Sequence, residues 1–314
     1  MTTNPGGDDD DGSNPQPDPN AAFEVVSKDA SLAPGEQTTY CYYFHTSNTE
    51  DALIAKWSSH MSPGSHHAIL YLNPSGQGQQ PDGTLDPSGN CGGFSLQGGA
   101  PIWTYATQTE DQELSLPSDD GNRKPLAQKV AAHTPAVLQL HYLNATLDPI
   151  TAHIDLKAFA LPAGTDYTET AAYVTYNQDI AIDKDAIQQP VTASCGVPDN
   201  VKFWTISTHS HKQSVKTVVF DGTIDNSSTE IFTSMDWEHP GSKDWMTPQT
   251  PFYTFTNTKL SWTCTYTNDG DNHDSVIHAG PSASTNEMCM ATGYFFPATA
   301  PSFNIQYNGT CYSL

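Results

Sequence analysis

Five of the chain's 12 histidines stand where an imidazole could bind a metal ion. In Thr208-His209-Ser210-His211 the two histidines are i and i+2. On a strand both rings then leave the same face and can hold one ion. Surface or core histidines explain an isolated HxH pair equally well, but this one continues the apolar run Phe203-Trp-Thr-Ile. His66 and His67 are adjacent, and adjacent strand residues point to opposite faces. Joint ligation therefore requires a bulge or a strand end, and Ser62-Pro-Gly-Ser just before them supplies that irregularity. His141 sits in the apolar run Val137-Leu-Gln-Leu-His-Tyr. Alone it reads as a satisfied core residue; with His66 and His67 it completes a three-imidazole set suited to copper or zinc. Met288, in Asn286-Glu-Met-Cys-Met, decides between metals. By itself it reads as a core methionine beside a disulfide. As a ligand, its thioether suits Cu(I) and not zinc, so two imidazoles plus Met288 point to redox copper.

The remaining histidines (His45, His60, His133, His153, His239, His273 and His278) lack comparable spacing and are expected on surfaces, in loops or around the site. No GxSxG elbow, HExxH, GxxxxGK or GxGxxG after a strand is present. Carboxylates are plentiful, but none forms a pair marked for glycosidase work.

The elements that must position these residues read as strands. Alternating or β-branched runs cover Gln37 to His45, His67 to Leu72, Ala136 to Leu143, His153 to Ala160, Ala171 to Tyr176, Val201 to Thr208, Val215 to Phe220, Lys259 to Tyr266 and Ala291 to Phe296. Turn clusters such as Asn73-Pro-Ser-Gly and Gln80-Pro-Asp-Gly separate them. Only Asp51 to Ser58 offers apolar residues at helical spacing. The chain thus reads as all-β, its strand spacing that of sandwiches or barrels. Leu161-Pro-Ala-Gly-Thr-Asp is the expected boundary, giving a leader over 1–20, a first domain over 21–163 and a second over 164–314. The leader, rich in Asp, Pro, Gly and Asn, cannot offset the entropy of ordering and is expected to be disordered.

With 12 Lys+Arg against 35 Asp+Glu, the chain repels phosphate backbones and anionic membranes, which argues against nucleic acid as a partner. No apolar run is long enough for a transmembrane segment. The six cysteines (Cys41, Cys91, Cys195, Cys264, Cys289 and Cys311) show no CxxC spacing. An even, scattered set suits disulfides and an oxidising location: secreted, periplasmic or cell-surface, the leader being a tether of the kind that follows an export signal or lipid anchor.

Ser65-His-His-Ala-Ile-Leu, Leu138-Gln-Leu-His-Tyr, Thr208-His-Ser-His and Asn286-Glu-Met-Cys resemble, in order and rough spacing, the motifs of the ascorbate-dependent type II copper monooxygenases. This is the family of peptidylglycine α-hydroxylating monooxygenase and dopamine β-monooxygenase. The resemblance runs from about Gln37 to Cys311. It implies two antiparallel, jelly-roll-like β-sandwich domains side by side, each holding one copper across a solvent-filled cleft. Carried over, His66, His67 and His141 hold the electron-supplying copper, and His209, His211 and Met288 hold the copper at which O2 and substrate react. Gln139 matches a family glutamine near the first copper. The cysteine pattern implies Cys41 with Cys91, Cys195 with Cys311, and Cys264 with Cys289. The implied reaction hydroxylates a C–H bond of a small-molecule or peptide substrate with O2 and a one-electron reductant such as ascorbate.

Two departures narrow the substrate. Peptide-amidating members carry an arginine two residues before HxH and a tyrosine four residues after the methionine, together gripping a terminal carboxylate. Here those positions are Ser207 and Thr292, candidates for a different substrate pocket. One first-domain disulfide of animal enzymes has no counterpart, and no lyase-like segment follows. Amidation of peptides is therefore not expected, and dopamine finds no support; a divergent, bacterial type of member is implied. The rival readings are a non-catalytic copper-binding or sensing protein on the same fold and a jelly-roll lectin or adhesion module. Trp103, Trp204, Trp237 and Trp245 could line a cleft, although core packing suits most of them.

Overall fold

Side chains at alternate positions of these runs are buried on one side, and every run is a strand in the computed structural model: Gln37–His45, Ser65–Leu72, Pro135–Leu143, Ile154–Ala160, Ala171–Asn177, Lys202–Ser210, Ser214–Asp221, Lys259–Tyr266 and Cys289–Phe296. The structure describes residues 18–89, 91, 101–224, 228–246, 252–256, 258–298 and 300–313, and among these there is no helix. Almost all of the leader lies outside the described residues.

The helical reading of Asp51 to Ser58 is corrected: this segment belongs to the strand Ala52–Met61. Ile54 pairs with Ala160 and Lys56 with Phe159, so Ala55 is an extra, bulged residue. The bulge shifts the buried side from Ile54 to Trp57, three residues on, and this spacing mimics a helical face.

Two sheets form the first half. One runs Phe23–Val26, Ile154–Ala160, Ala52–Met61, Leu126–Val130, and the other runs Leu85–Asp86, Gln37–His45, Pro135–Leu143, Ser65–Leu72, Ile102–Thr107. Ile54, Trp57 and Leu156 of the first meet Leu70, Leu138 and Leu140 of the second in one core. The second half repeats the plan. Lys202–Ser210, Cys289–Phe296 and Ala171–Asn177 lie adjacent in one sheet, and Gln189–Gly196, Lys259–Tyr266 and Ser214–Asp221 in the other. Tyr173, Phe203 and Phe295 pack there against Trp262, Leu260 and Val219. Each fully buried side chain of this size contributes roughly 1.5–3 kcal/mol. Two mainly antiparallel sandwiches side by side are the result, with Ala171–Asn177 and Ser302–Tyr307 of the second paired in parallel.

Strand period then places the chemistry. In Pro135–Leu143 the even-numbered residues Ala136, Leu138, Leu140 and Tyr142 enter the first core, so Gln139 and His141 leave by the outer face. His67 and Ile69, their partners in register, leave by the same face. In Cys289–Phe296, Ala291 and Phe295 enter the second core, whereas Met290 joins Ala172 and Val174 on the outer face, where Trp103 of the first half packs against them. The halves therefore meet outer face to outer face. Trp204 and Phe296 extend into the first core, and the Tyr294 hydroxyl donates to the Thr104 carbonyl at 3.1 Å.

Three disulfides are present: Cys41–Cys91, Cys195–Cys311 and Cys264–Cys289, the pairing that the resemblance implies. Among the described residues no helix is long and apolar enough to cross a membrane.

Candidate metal centre

His66 and His67 converge through the irregularity their sequence demands. His67 stands opposite His141, but Tyr142 stands opposite Ser65, so His66 is the extra residue of a bulge. The bulge turns an even-numbered side chain, which the pleat would send into the core, back to the outer face. The ring centroids of His66 and His67 then lie 5.2 Å and 5.0 Å from that of His141. Across the contact between halves, the outer face of Lys202–Ser210 delivers His209, and His211 follows just past the strand end. Their rings stand perpendicular with centroids 5.4 Å apart.

The two groups adjoin. His67 is 5.0 Å from His209, and His66 is 5.5 Å from His209 and 6.0 Å from His211, measured between ring centroids. Ligand atoms of His66, His67 and His141 all lie within 4.8 Å of one another, as do those of His66, His209 and His211. The resemblance implies two groups facing each other across solvent; here five imidazoles form a single buried cluster, with His66 common to both sets.

Partners of the ring nitrogens fix how the cluster can bind. His209 donates its Nδ1–H to Gln108 Oε1 at 2.6 Å, and His211 donates its Nδ1–H to the Asn286 carbonyl at 3.1 Å. Both acceptors are pure acceptors, so each Nε2 carries a lone pair, and each Nε2 is buried without a partner. His66 Nε2 and His67 Nδ1 are likewise buried and unpartnered. Four orphaned ring nitrogens in one place are costly unless something accepts their lone pairs, and a soft or borderline metal ion does so. His141 Nε2 lies 2.8 Å from the Gln37 amide. It is the amide nitrogen that faces the ring, and Gln37 Oε1 is itself buried without a partner; turned over, the amide would accept the ring's Nε2–H and leave the Nδ1 lone pair free. Burial holds His66 and His211 down to about 4 and His141 to about 3, and holds His67 and His209 well below the usual histidine range, with neighbouring imidazoles adding to it. All five rings are thus neutral and able to ligate at ordinary pH. Copper fits this donor set.

Met288 precedes the Cys289–Phe296 strand, pinned by the Cys264–Cys289 disulfide and by the Tyr266 hydroxyl, which donates to the Met288 carbonyl at 2.8 Å. Its side chain lines two cavities, in both of which His67 and Gln139 are neighbours. One cavity, of about 490 Å³, is lined by hydroxyls and amides, Gln37, Thr38, Thr39 and Ser282 among them, and reaches His141. The other, of about 270 Å³, reaches His209. Thr292 lines this second cavity; Ser207, directly opposite Thr292 in register, does not, and its hydroxyl donates to the Gly241 carbonyl at 2.6 Å. Ser207 and Thr292 share instead a neighbouring cavity beyond Trp103.

Three positioning residues escaped the sequence reading. Gln108 and Gln37 are polar residues without periodic signal, brought to His209 and His141 only by tertiary contact. Gln108 also donates from Nε2 to the Thr208 carbonyl at 3.2 Å, so one side chain of the first half clamps the HxH strand of the second. Glu287 is completely buried, and its two oxygens accept the backbone N–H groups of His211 and Gln213 at 2.9 Å and 2.8 Å. Burial pushes its carboxyl up to about 8 against the pull of those donors. A glutamate beside Met288 in an apolar stretch was the one available signal. Of the four tryptophans, Trp204 and Trp245 are core, Trp103 lines the cavities, and Trp237 packs against His66 at 5.5 Å. His45, His60, His153, His239 and His273 pair with nearby aspartates away from the cluster.

No protein-family model matches the chain, and no curated protein matches it by sequence. Among solved structures, the chain is similar to the major capsid protein P2 of bacteriophage PM2 (9% identity, TM-score 0.36, 88% of this chain and 100% of that one). It is similar also to PNGase F, a glycosylasparaginase from Flavobacterium meningosepticum (9% identity, TM-score 0.37, 88% and 97%). At that identity and score neither likeness bears on activity.

Proposed function

We propose that this protein is a two-copper monooxygenase, working in an oxidising compartment outside the cytoplasm. The observation that carries the reading is the cluster of buried, partnerless imidazole nitrogens, two of them fixed in tautomer by Gln108 and Asn286, with the Met288 thioether on the wall beside it. His66, His67 and His141 hold one ion, and His209, His211 and Met288 the other. Copper bound there supplies one-electron redox chemistry and the activation of O2.

The chain's own residues supply the rest. Gln108 and the Asn286 carbonyl hold His209 and His211 in the ligating tautomer. The disulfide at Cys289 and the Tyr266 hydroxyl hold the backbone of Met288, the soft donor that favours reduced copper. Gln139 lies between the two cavities beside His67. The hydroxyl-lined cavity gives a hydrophilic donor such as ascorbate access to His141, and the second cavity presents substrate beside His209. Hydroxylation places one oxygen atom of O2 in a C–H bond and reduces the other to water, consuming two electrons from the donor and two protons. A purely copper-binding or sensing protein has no use for a substrate-sized cavity at this position.

The test is copper content followed by ascorbate-dependent O2 uptake, in wild type, His66→Ala and Met288→Ala. About two coppers per chain are expected in the wild type. His66→Ala should lose at least one of them, and Met288→Ala should lose O2 uptake. Zinc retained at both positions after purification, or O2 uptake indifferent to Met288, would overturn the proposal.

A further inference from the structure

The cavity beside Met288 and His209, about 270 Å³ in volume, is walled mostly by apolar side chains with a few polar ones among them. The apolar walls are made by Ile69, Tyr71 and Trp103 from the first half and Tyr176, Met290 and Phe303 from the second. Its polar lining is Gln108, which bonds His209, with Gln139, Thr107, Thr292, His67 and His209 itself. Among the described residues no lysine, arginine, aspartate or glutamate lines it, in a chain whose net charge is −23. An apolar chamber with a few polar groups is the usual form of a small-molecule site.

We propose that this cavity is the substrate site and that it selects an uncharged molecule carrying a single aromatic or aliphatic ring, its reactive C–H end toward Met288 and His209. This deepens the monooxygenase reading and rests on it for the direction of the substrate.

The argument is one of desolvation. A carboxylate entering this chamber leaves water for walls that hold no cation, and an ammonium leaves it for walls that hold no carboxylate, so neither recovers its hydration. Metal bound at His209 would oppose an ammonium further and attract a carboxylate, so the preference for a neutral molecule is a property of the metal-free chamber. A neutral ring gains instead from burial against Trp103, Tyr176 and Phe303. Tyr71 and Trp103 stand edge to face at 5.7 Å with an interplanar angle of 86°, so the edge of one ring covers a face of the other and that face cannot also take a cation. The volume is just under the range that drug-sized ligands need, which limits the occupant to about one ring with a short arm.

The probes are phenylacetamide, phenylacetate and phenethylamine, of nearly equal shape and of charge zero, minus one and plus one. Each is titrated calorimetrically at pH 7 into the full, copper-free chain. Phenylacetamide should bind at least about tenfold more tightly than either ion, a difference of about 1.4 kcal/mol. Phe303→Ala and Met290→Trp, the first removing a wall and the second filling the chamber, should each weaken it by about tenfold or more, and at least one should retain the wild-type unfolding temperature. Thr292→Arg, which sets a cation in the wall, should turn the preference toward phenylacetate. Equal or tighter binding of a charged probe, no binding of any probe to the folded protein, or an affinity for phenylacetamide unmoved by the folded wall variants overturns the proposal. The two readings fail separately. Copper and O2 uptake without phenylacetamide binding removes only the substrate class, whereas cavity binding in a chain that takes no copper upholds the ligand class and removes the oxygenase.

Discussion

His66, His67 and His141 converge because a bulge adds one residue to a strand, whereas His209, His211 and Met288 converge because side chains, a carbonyl and a disulfide hold them. The first group is set by backbone register: His67 and His141 are direct neighbours in an antiparallel pair, and the bulge brings His66 to the same face. The second group straddles two segments 77 residues apart, His211 to Met288, and depends on Gln108, Glu287, the Asn286 carbonyl and the Cys264–Cys289 bridge. Register is a property of a whole sheet and resists local change; a site assembled from single contacts can be loosened one contact at a time. A fixed group for storing an electron and an adjustable one for chemistry is what the proposed reaction asks for.

The largest expected effect tests whether the two groups behave as one buried cluster. In the copper-free protein all five rings are held below the ordinary histidine value, so the fold keeps them neutral while the unfolded chain takes up protons below about pH 6.5. Stability should be flat above pH 7 and fall as pH drops from about 6.5 toward the folded values near 4 and 3. The loss amounts to several kcal/mol, at about 1.4 kcal/mol for every tenfold in proton affinity. Thermal unfolding across pH 4–8 measures it, and bound copper should raise stability while keeping the slope above pH 5, since the folded rings carry no proton there for it to displace. A flat profile in the copper-free chain would show that the rings are solvated and the two groups independent.

Next in size is the covalent pin. Cys264→Ser with Cys289→Ser opens a loop of 25 residues and should cost about 3.5 kcal/mol by loop entropy. X-ray absorption should then report loss of the sulfur ligand from Cu(I) while the nitrogen ligands of the three-histidine group persist. Retention of the sulfur ligand would mean that the Tyr266 contact alone holds Met288.

Smallest is the effect of a single amide. Gln108→Ala should weaken copper at the His209 and His211 group by about 10- to 100-fold and leave the other group unchanged. Gln37→Ala should weaken only the His141 side, and by less, since register still fixes that ring. Equal losses at both groups from either variant would contradict the contrast between register and contact.

Strands and the ligand candidates were legible because each is a local matter, whereas the pairing of the cysteines, 50, 116 and 25 residues apart, came only from the resemblance. Period-2 alternation names a strand, and HxH, HH and a methionine beside a cysteine are visible as letters. The segment Ala52–Met61 misled because its bulge at Ala55 converts strand spacing into helix spacing, and nothing nearby in the sequence marks the partner strand that tolerates it. Gln108 was invisible because it lies 101 residues from His209 and its role exists only once the halves meet. Ser207 and Thr292 were read as a pair, which their register confirms, yet only Thr292 faces the chamber beside Met288.

By itself, then, the sequence determined an all-β chain, the nine strands it could name, an even set of cysteines suited to disulfides, and six side chains of metal-ligating type. These follow from composition and short-range spacing, which the backbone obeys locally. Tertiary structure decided that the two histidine groups adjoin, with His66 within reach of both, and that a chamber with no charged side chain among the described residues lies against them. Those properties arise where two outer faces meet, and contact across that boundary joins residues about a hundred positions apart, a distance over which no periodicity carries information.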